Sequence, residues 1–317
     1  MNIENSHSVL FVTEKWYAGN PDFSFTNNFH NLFNTFNYSY GDKFKWNTIH
    51  IDESHLIYGR SINDILINYC LRYKIKLIIF SLLGDDPRNP IQNTLEILKN
   101  LGIKLCFMWP DTAEWTFKKI SSLENIADLH VSWDNSSLST TYSKNHLSLW
   151  VPQDKYLFFP DQKEFNVSFI GGKHHQDRQY YLSELYKKIP DLIVSGGQNE
   201  SKLTPQKYAY YIRKSKINLN FSHHPLGFDQ IKGRVYEVIA SKSLLLEKKN
   251  DLTNKILIPN IHYIEFESIE DCLYKINYYL KNQEEANNIS ENAYQLYREK
   301  YTAEKFWEII MNALNFL

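Results

Sequence analysis

Cysteine is scarce in this chain, with three in 317 residues. Cys70, Cys106 and Cys272 stand far apart and form neither a CxxC pair nor an even set, which excludes a disulfide framework and leads us to expect a reducing, cytoplasmic setting. Net charge is nearly absent as well: 35 Lys and Arg against 36 Asp and Glu leave −1. No global positive field draws such a chain to nucleic acid or an anionic membrane, so a nucleic-acid partner is disfavoured, although a local basic groove would suffice for one. Long apolar runs are missing too. The longest, Ile75 to Leu83, falls well short of the roughly 20 residues that span a bilayer. The amino terminus, MNIENSHSVLFVTEKW, has neither the basic start nor the apolar stretch of a secretion signal. A soluble, unexported protein is expected, with no transmembrane segment. There is no internal repeat and no Walker or GxGxxG fingerprint.

What the chain does have is alternation. Its 43% hydrophobic content supports a core in each of two ordinary-sized domains. Short apolar runs alternate with amphipathic segments, the pattern of an α/β protein with parallel sheets. Strands are predicted at Val9–Thr13, Trp46–Ile51, Lys76–Leu82, Ile103–Met108, Leu129–Trp133 and Leu147–Val151. After VPQDKYLFFPDQKE, where Pro152 and Pro160 mark a linker, strands resume at Asn166–Ile170, Leu192–Ser195, Ile217–Phe221, Ser243–Glu247 and Tyr263–Phe266. Ser61 reads as the cap of a helix running to Tyr73, and Ile91–Leu101 as a helix ended by Gly102. Beyond Ser268 the chain reads as nearly all helix. The 22 Tyr and 19 Phe are mostly core.

Several segments carry polar groups where chemistry is plausible. In KGRVYEVIAS a helix starting near Gly233 puts Arg234, Glu237 and Ser241 on one face, with Val235, Val238 and Ile239 turned into a core. Arg234 then sits against the positive end of the helix dipole, unfavourably unless an anion neutralises it; the alternative is an i,i+3 ion pair with Glu237. Strand NVSFI runs into Gly171-Gly172-Lys173-His174-His175 and a helix start with Arg178 in its first turn, either a phosphate loop or an ordinary tight turn. Gly196 and Gly197 end the next strand and Asn220, with Ser222 just beyond, the one after, at carboxyl ends where ligands of open α/β sheets gather. The pairs His174-His175 and His223-His224 lack a carboxylate or cysteine at zinc-ligand spacing, so no metal site is expected; they read as hydrogen-bond donors to phosphate. Gly84-Asp85-Asp86 reads as a loop capping the next helix. Asp111, in Trp109-Pro110-Asp111 at a strand's carboxyl end, is either a general base or a helix cap. His130, Trp133 and Asp134 are lesser candidates at the end of another strand, and Trp16 to Asp22, with Gly19, follow the first.

The run Arg234, Val235, Tyr236, Glu237 resembles the Arg-x-(Tyr/Phe)-Glu signature on the donor-site helix of GT-B glycosyltransferases, most closely the CgeB-like (spore-maturation type) group. Phe169, Gly171 and Arg178 match that family's phenylalanine, small residue, glycine, later basic residue pattern. Leu219-Asn220 resembles its Leu-Asn, and Trp109 to Asp111 its Trp-x-Asp. The likeness is best from Asn166 to about Tyr301. It implies two Rossmann-like, doubly wound domains facing a cleft: residues 1–155 for the acceptor, 156–300 for the donor, and a helix at 301–317 packing back toward the first.

By the same resemblance Glu237 accepts hydrogen bonds from the donor ribose, and Arg234 holds the diphosphate. Asp229 stands eight positions earlier, near the donor sugar, where relatives place an acidic residue. Gly171, Gly172, Arg178, Gly196, Asn220, His223, Lys232 and Gly233 complete the expected donor site. Arg234, helped by Arg178 and the Gly171 loop, would offset charge growing on the leaving diphosphate. Asp111 is the base if the reaction inverts configuration, and none is needed if it retains it. The expected co-substrates are a nucleotide-diphosphate sugar and a glycan or other hydroxyl acceptor, with no cofactor or bound metal. Nucleotide, sugar and oligomeric state stay open. The rival readings are a two-domain sugar-nucleotide epimerase, a non-catalytic nucleotide or glycan binder, and a phage-type DNA-modifying glycosyltransferase.

Overall fold

Parallel strands covered on both faces read as short, near-continuous apolar runs, and each run above overlaps a strand in a computed structural model of the chain. The structure describes residues 8–16, 30–82, 86–110, 122–133, 145–172, 176–196, 203–222 and 228–317. Two compact units emerge. Among the described residues, one takes everything through Trp150 together with Ala303–Leu317, the other Val151–Thr302.

The first unit is a parallel sheet of β1 (Ser8–Thr13), β2 (Lys45–His50), β3 (Ile75–Phe80), β4 (Lys104–Trp109), β5 (Leu129–Ser132) and β6 (His146–Ser148), in the order β2-β1-β3-β4-β5-β6. Between the strands run α1 (His30–Tyr40), α2 (Ile51–Leu56), α3 (Ile62–Tyr73) and α4 (Gln92–Asn100). Ser61 caps α3 as its sequence implies, its side chain accepting from the Asn63 N–H. Helix α2 is a departure. The apolar run that suggested a strand through Ile51 stops at His50, and the acidic pair Asp52 and Glu53 opens a helix, as carboxylates favour a helix amino end. Buried Asp52 then accepts the N–H groups of Lys15 and Trp16 at 2.8 and 3.0 Å, tying down the chain just after β1.

The second unit has β7 (Phe165–Ile170), β8 (Ile193–Ser195), β9 (Ser215–Asn220), β10 (Leu244–Lys248) and β11 (Ile264–Phe266), again all parallel, in the order β11-β10-β9-β7-β8. Its helices are α5 (Gln176–Lys188), α6 (Pro205–Lys214), α7 (Gly233–Ala240), α8 (Ile269–Lys281) and α9 (Gln283–Lys300). Val167, Phe169, Ile217, Leu219, Leu244, Leu246, Ile264 and Phe266 build one core face with residues of α5, α8 and α9. The alternate positions Ser168, Asn218, Asn220 and Glu247 are buried and polar. A last helix, α10 (Ala303–Ala313), packs on α1 and so belongs to the first unit.

One lysine fastens the second unit. Lys163 Nζ donates to the Arg213 carbonyl at 2.7 Å, the Ser241 carbonyl at 3.0 Å and the Ser243 hydroxyl at 2.6 Å. The two carbonyls lie at the carboxyl ends of α6 and α7, where the helix dipoles favour a cation. Replacing it, Lys163→Met, strands these acceptors and is expected to lower stability by about 1–3 kcal/mol. Calorimetry checks this, and an unchanged melting temperature would contradict the role.

Candidate functional site

In the second sheet the first strand, β7, lies between the second and third, β8 and β9. This is the switch point of a doubly wound sheet, where the connections leave in opposite directions and a crevice opens outside the carboxyl ends of the strands. Gly171 follows β7, Gly196 follows β8 and Asn220 ends β9. The Gly171 N–H donates to the Ser195 carbonyl at 2.8 Å. Both glycines are required here: Gly196 has φ +87°, and a Cβ on Gly171 would collide with Arg234 Nη2. The side chain missing at Gly171 is the space the arginine fills.

Arg234 stands in the first turn of α7, whose amino end has no side-chain cap. Its guanidinium lies 4.7 Å from the centre of the Phe169 ring, and Nη1 donates to Asn220 Oδ1 at 2.7 Å. Arg178, from α5, approaches the same ring at 5.5 Å. Its Nη1 donates to the Gly172 carbonyl at 2.6 Å and its Nη2 to the Phe221 carbonyl at 2.9 Å, so it braces the loops after β7 and β9. Burial, reinforced by the neighbouring Arg234 charge, pushes the Arg178 pKa down to about 10. The Nε of each arginine is buried without a hydrogen-bond partner. No carboxylate of the described residues pairs with either at ion-pair distance. Two cations around one ring, with no paired counter-charge, make a site that an anion would complete.

The Arg234–Glu237 ion pair is not formed. Glu237, half-buried one turn further along α7, accepts instead from the Tyr208 hydroxyl on Oε2 at 2.6 Å. Burial raises the Glu237 pKa, while the Tyr208 hydrogen bond and the Arg234 charge pull the other way. A Cβ on Gly233 would stand 3.6 Å from Glu237 Oε1. Behind Arg234, buried Asn220 donates through Nδ2 to Glu247 Oε1 at 3.1 Å, and the Ser222 hydroxyl donates to the same oxygen. Asn220 and Glu247 face each other across β9 and β10 in register.

Of the residues singled out in the sequence, Gly171, Gly172, Arg178, Gly196, Asn220, Gly233, Arg234 and Glu237 thus come together in one part of the second unit. Lys232 is the N-cap residue of α7 and reaches Gln230 Oε1. Asp229 lies half-buried in the segment leading into α7. Ser241 donates to the Glu237 carbonyl at 2.8 Å and is wholly buried, on the helix rather than facing a ligand. Tyr208 and Glu247 were not singled out. In the first unit Trp109 is buried, its indole N–H donating to His130 Nδ1 at 3.2 Å. Burial, with the nearby His146, lowers the His130 pKa to about 4, so this ring is neutral. Trp133 is buried as well. Asp86 spends its carboxylate on Arg88, which holds it below the usual range. Asp111, His223, His224, His174, His175, Gly197, Gly19, Gly84, Asp85 and Asp134 lie outside the described residues. Among the described residues no group of three His, Cys, Asp or Glu converges as metal ligands, and no helix is long and apolar enough to cross a membrane.

Residues 164–312, the part of the chain that builds this site, match the glycosyl transferase-like family. The fold is that of GT-B glycosyltransferases. HepE of Anabaena, solved in complex with UDP, superposes with a TM-score of 0.62 at 11% identity, covering 98% of this chain and 100% of that one. A glycosyltransferase from Rickettsia africae gives 0.62 at 12% identity over 98% and 99%. Sucrose-phosphate synthase from Thermosynechococcus elongatus gives 0.62 at 9% identity over 96% and 98%. No curated protein matches the chain in sequence.

Proposed function

We propose that this protein is a glycosyltransferase that moves a sugar from a nucleotide-diphosphate donor to a hydroxyl acceptor, with the donor bound at the switch point of the second unit. The observation that carries the reading is the pair Arg178 and Arg234 on Phe169, without a paired carboxylate among the described residues, at the crevice where a diphosphate would sit. Glu237 supplies the complementary group: its Oε1 accepts from a ribose hydroxyl while Tyr208 holds Oε2. HepE has also been solved with UDP-glucose, which makes a uridine diphosphate sugar the first donor to try.

In this mechanism the chain's own groups act mainly on the leaving diphosphate. As the bond to the sugar lengthens, negative charge grows on the phosphate oxygens, and Arg234, fixed in advance by Asn220 and the Phe169 ring, stabilises that charge without reorganising. Asp229 is assigned to the donor sugar. Asp111 takes the acceptor proton if configuration inverts, and a retaining reaction needs no such base.

The test is a thermal-shift series with UDP, GDP, dTDP and their sugars, since a ligand bound only by the folded state raises its melting point. One of these is expected to stabilise the wild type. Glu237→Ala should abolish that shift while the unliganded melting curve stays close to wild type. A shift retained in the variant would place the ribose elsewhere, and no shift with any of them would overturn the reading.

A further inference from the structure

The carboxyl group of Glu247 has no place in the mechanism above, yet it is wholly buried directly behind the arginine that the mechanism depends on. Its strand position opposite Asn220 turns it inward. Asn220 can serve two partners only in one orientation: its Nδ2 donates to Glu247 Oε1 and its Oδ1 accepts from Arg234 Nη1. A carboxyl, an amide and a guanidinium therefore form one chain of hydrogen bonds, and the amide cannot flip without breaking both contacts. The Ser222 hydroxyl, on the loop beyond β9, donates to the same carboxyl oxygen. Oε2 of Glu247 and the Thr253 hydroxyl are both buried, and the hydroxyl stands near enough to favour the ionised carboxylate.

We propose that Glu247 is a positioning residue of the donor site: through Asn220 it holds Arg234 in place, and it takes up a proton from solvent when the diphosphate binds. This rests on the donor reading given above. The proton uptake follows from charge. Burial raises the Glu247 pKa to about 7, while hydrogen bonds from Ser222, Thr253 and Asn220 and, after them, the Arg234 cation favour the ionised carboxylate. Besides Arg234, the groups facing it are the hydroxyls of Ser222, Thr253, Tyr236 and Tyr263 and the Asn220 amide, and burial keeps Tyr236 and Tyr263 un-ionised through the neutral range. Among the described residues, Arg234 is the charged group that acts on it. A bound diphosphate cancels the Arg234 field at Glu247, so its pKa rises further and a proton is taken up near neutrality. By linkage the donor then binds more tightly at lower pH. Protonated Glu247 also gains a donor that Thr253 Oγ1 can accept.

The experiment is calorimetric titration with UDP-glucose, GDP-mannose and dTDP-glucose, diphosphate diesters whose charge is constant from about pH 6 to about pH 8.5. For whichever binds the wild type, affinity is expected to fall about three- to tenfold across that range. Glu247→Gln, which copies the protonated form, should bind with the wild type's low-pH affinity and little pH dependence. Asn220→Ala should weaken binding at every pH. Near pH 7, titration of the wild type in two buffers of different ionisation enthalpy should show proton uptake, a measurement that needs no variant to fold. A wild-type profile that is flat, absence of proton uptake, or a Glu247→Gln protein that keeps the wild-type slope overturns the proposal. Failure of all three sugars to bind the wild type overturns the donor reading itself, and this inference with it.

Discussion

Arg234→Ala is expected to lower kcat/KM about 10²- to 10³-fold, equivalent to about 3–4 kcal/mol of lost transition-state stabilisation. The size follows from how the guanidinium is held. Phe169 lies beneath it, Asn220 fixes Nη1, and Gly171 has no side chain because Nη2 occupies that space. A group fixed in this way meets developing charge without paying for its own ordering. Since the charge on the diphosphate grows as the sugar departs, kcat should drop more than KM rises. Arg234→Lys should recover little, because an ammonium cannot stack on Phe169 as a planar guanidinium does or reproduce its fork of donors. Initial rates of nucleoside diphosphate release from the donor that binds measure both. A variant within about threefold of wild type would show that Arg234 is a structural cation and that leaving-group stabilisation lies elsewhere.

The elements that position this arginine were largely legible in the sequence. Strands buried on both faces read as short, largely apolar runs, and NVSFI and INLNF stand out between segments of helical spacing even though Ser168, Asn218 and Asn220 interrupt them with buried polar groups. The β7 run predicted at Asn166–Ile170 is observed at Phe165–Ile170, and the β9 run predicted at Ile217–Phe221 at Ser215–Asn220. Register supplies the rest: once β7 and β9 are neighbours, Gly171 and Asn220 must share one edge of the sheet. The weakest strand prediction, Leu147–Val151, lies at the sheet margin, where β6 is only His146–Ser148. There one neighbour is missing, and the apolar signal is shorter than the run suggested.

The polar support of the site was much harder to read. In LLLEKKN, Glu247 is the last residue of the predicted strand Ser243–Glu247, and with Lys248 and Lys249 after it nothing local marks its carboxyl as enclosed. The pairing with Asn220 across the sheet reveals that Glu247 is buried, on a β10 that runs on to Lys248. Tyr208 is one of 22 tyrosines, on a helix whose spacing marks Ala209 and Ile212 as the buried face. Nothing local distinguishes it from Tyr210, whose hydroxyl meets Glu164 at the surface. The i,i+3 spacing of Arg234 and Glu237 equally allowed an ion pair, and tertiary partners decided otherwise: Asn220 takes one side chain and Tyr208 the other. Both partners lie many residues away, so local sequence carries no record of the choice.

Trp307→Ala is expected to destabilise the first unit by about 3–5 kcal/mol, the range for removing a fully buried aromatic side chain. Trp307 is completely enclosed on α10. Its ring meets Phe36 edge-on at 5.0 Å and Phe11 at 6.0 Å, while Phe306 lies beside it at 5.2 Å. The indole N–H donates to the Thr35 hydroxyl at 2.9 Å, a bond between α10 and α1. Truncation therefore opens a cavity against β1 and leaves a buried hydroxyl without its donor, and the two effects add. Trp307→Phe separates them: it keeps most of the ring contact and should lose only about 1–3 kcal/mol, largely from the missing hydrogen bond. Because α10 is held by its packing on α1, the loss should appear first as release of that helix. Hydrogen exchange would then show protection falling in α1 and α10 together, while α7 and the strands of the second sheet keep theirs. Uniform loss across both units would mean that the two unfold as one, and that α10 contributes to more than the unit on which it is packed.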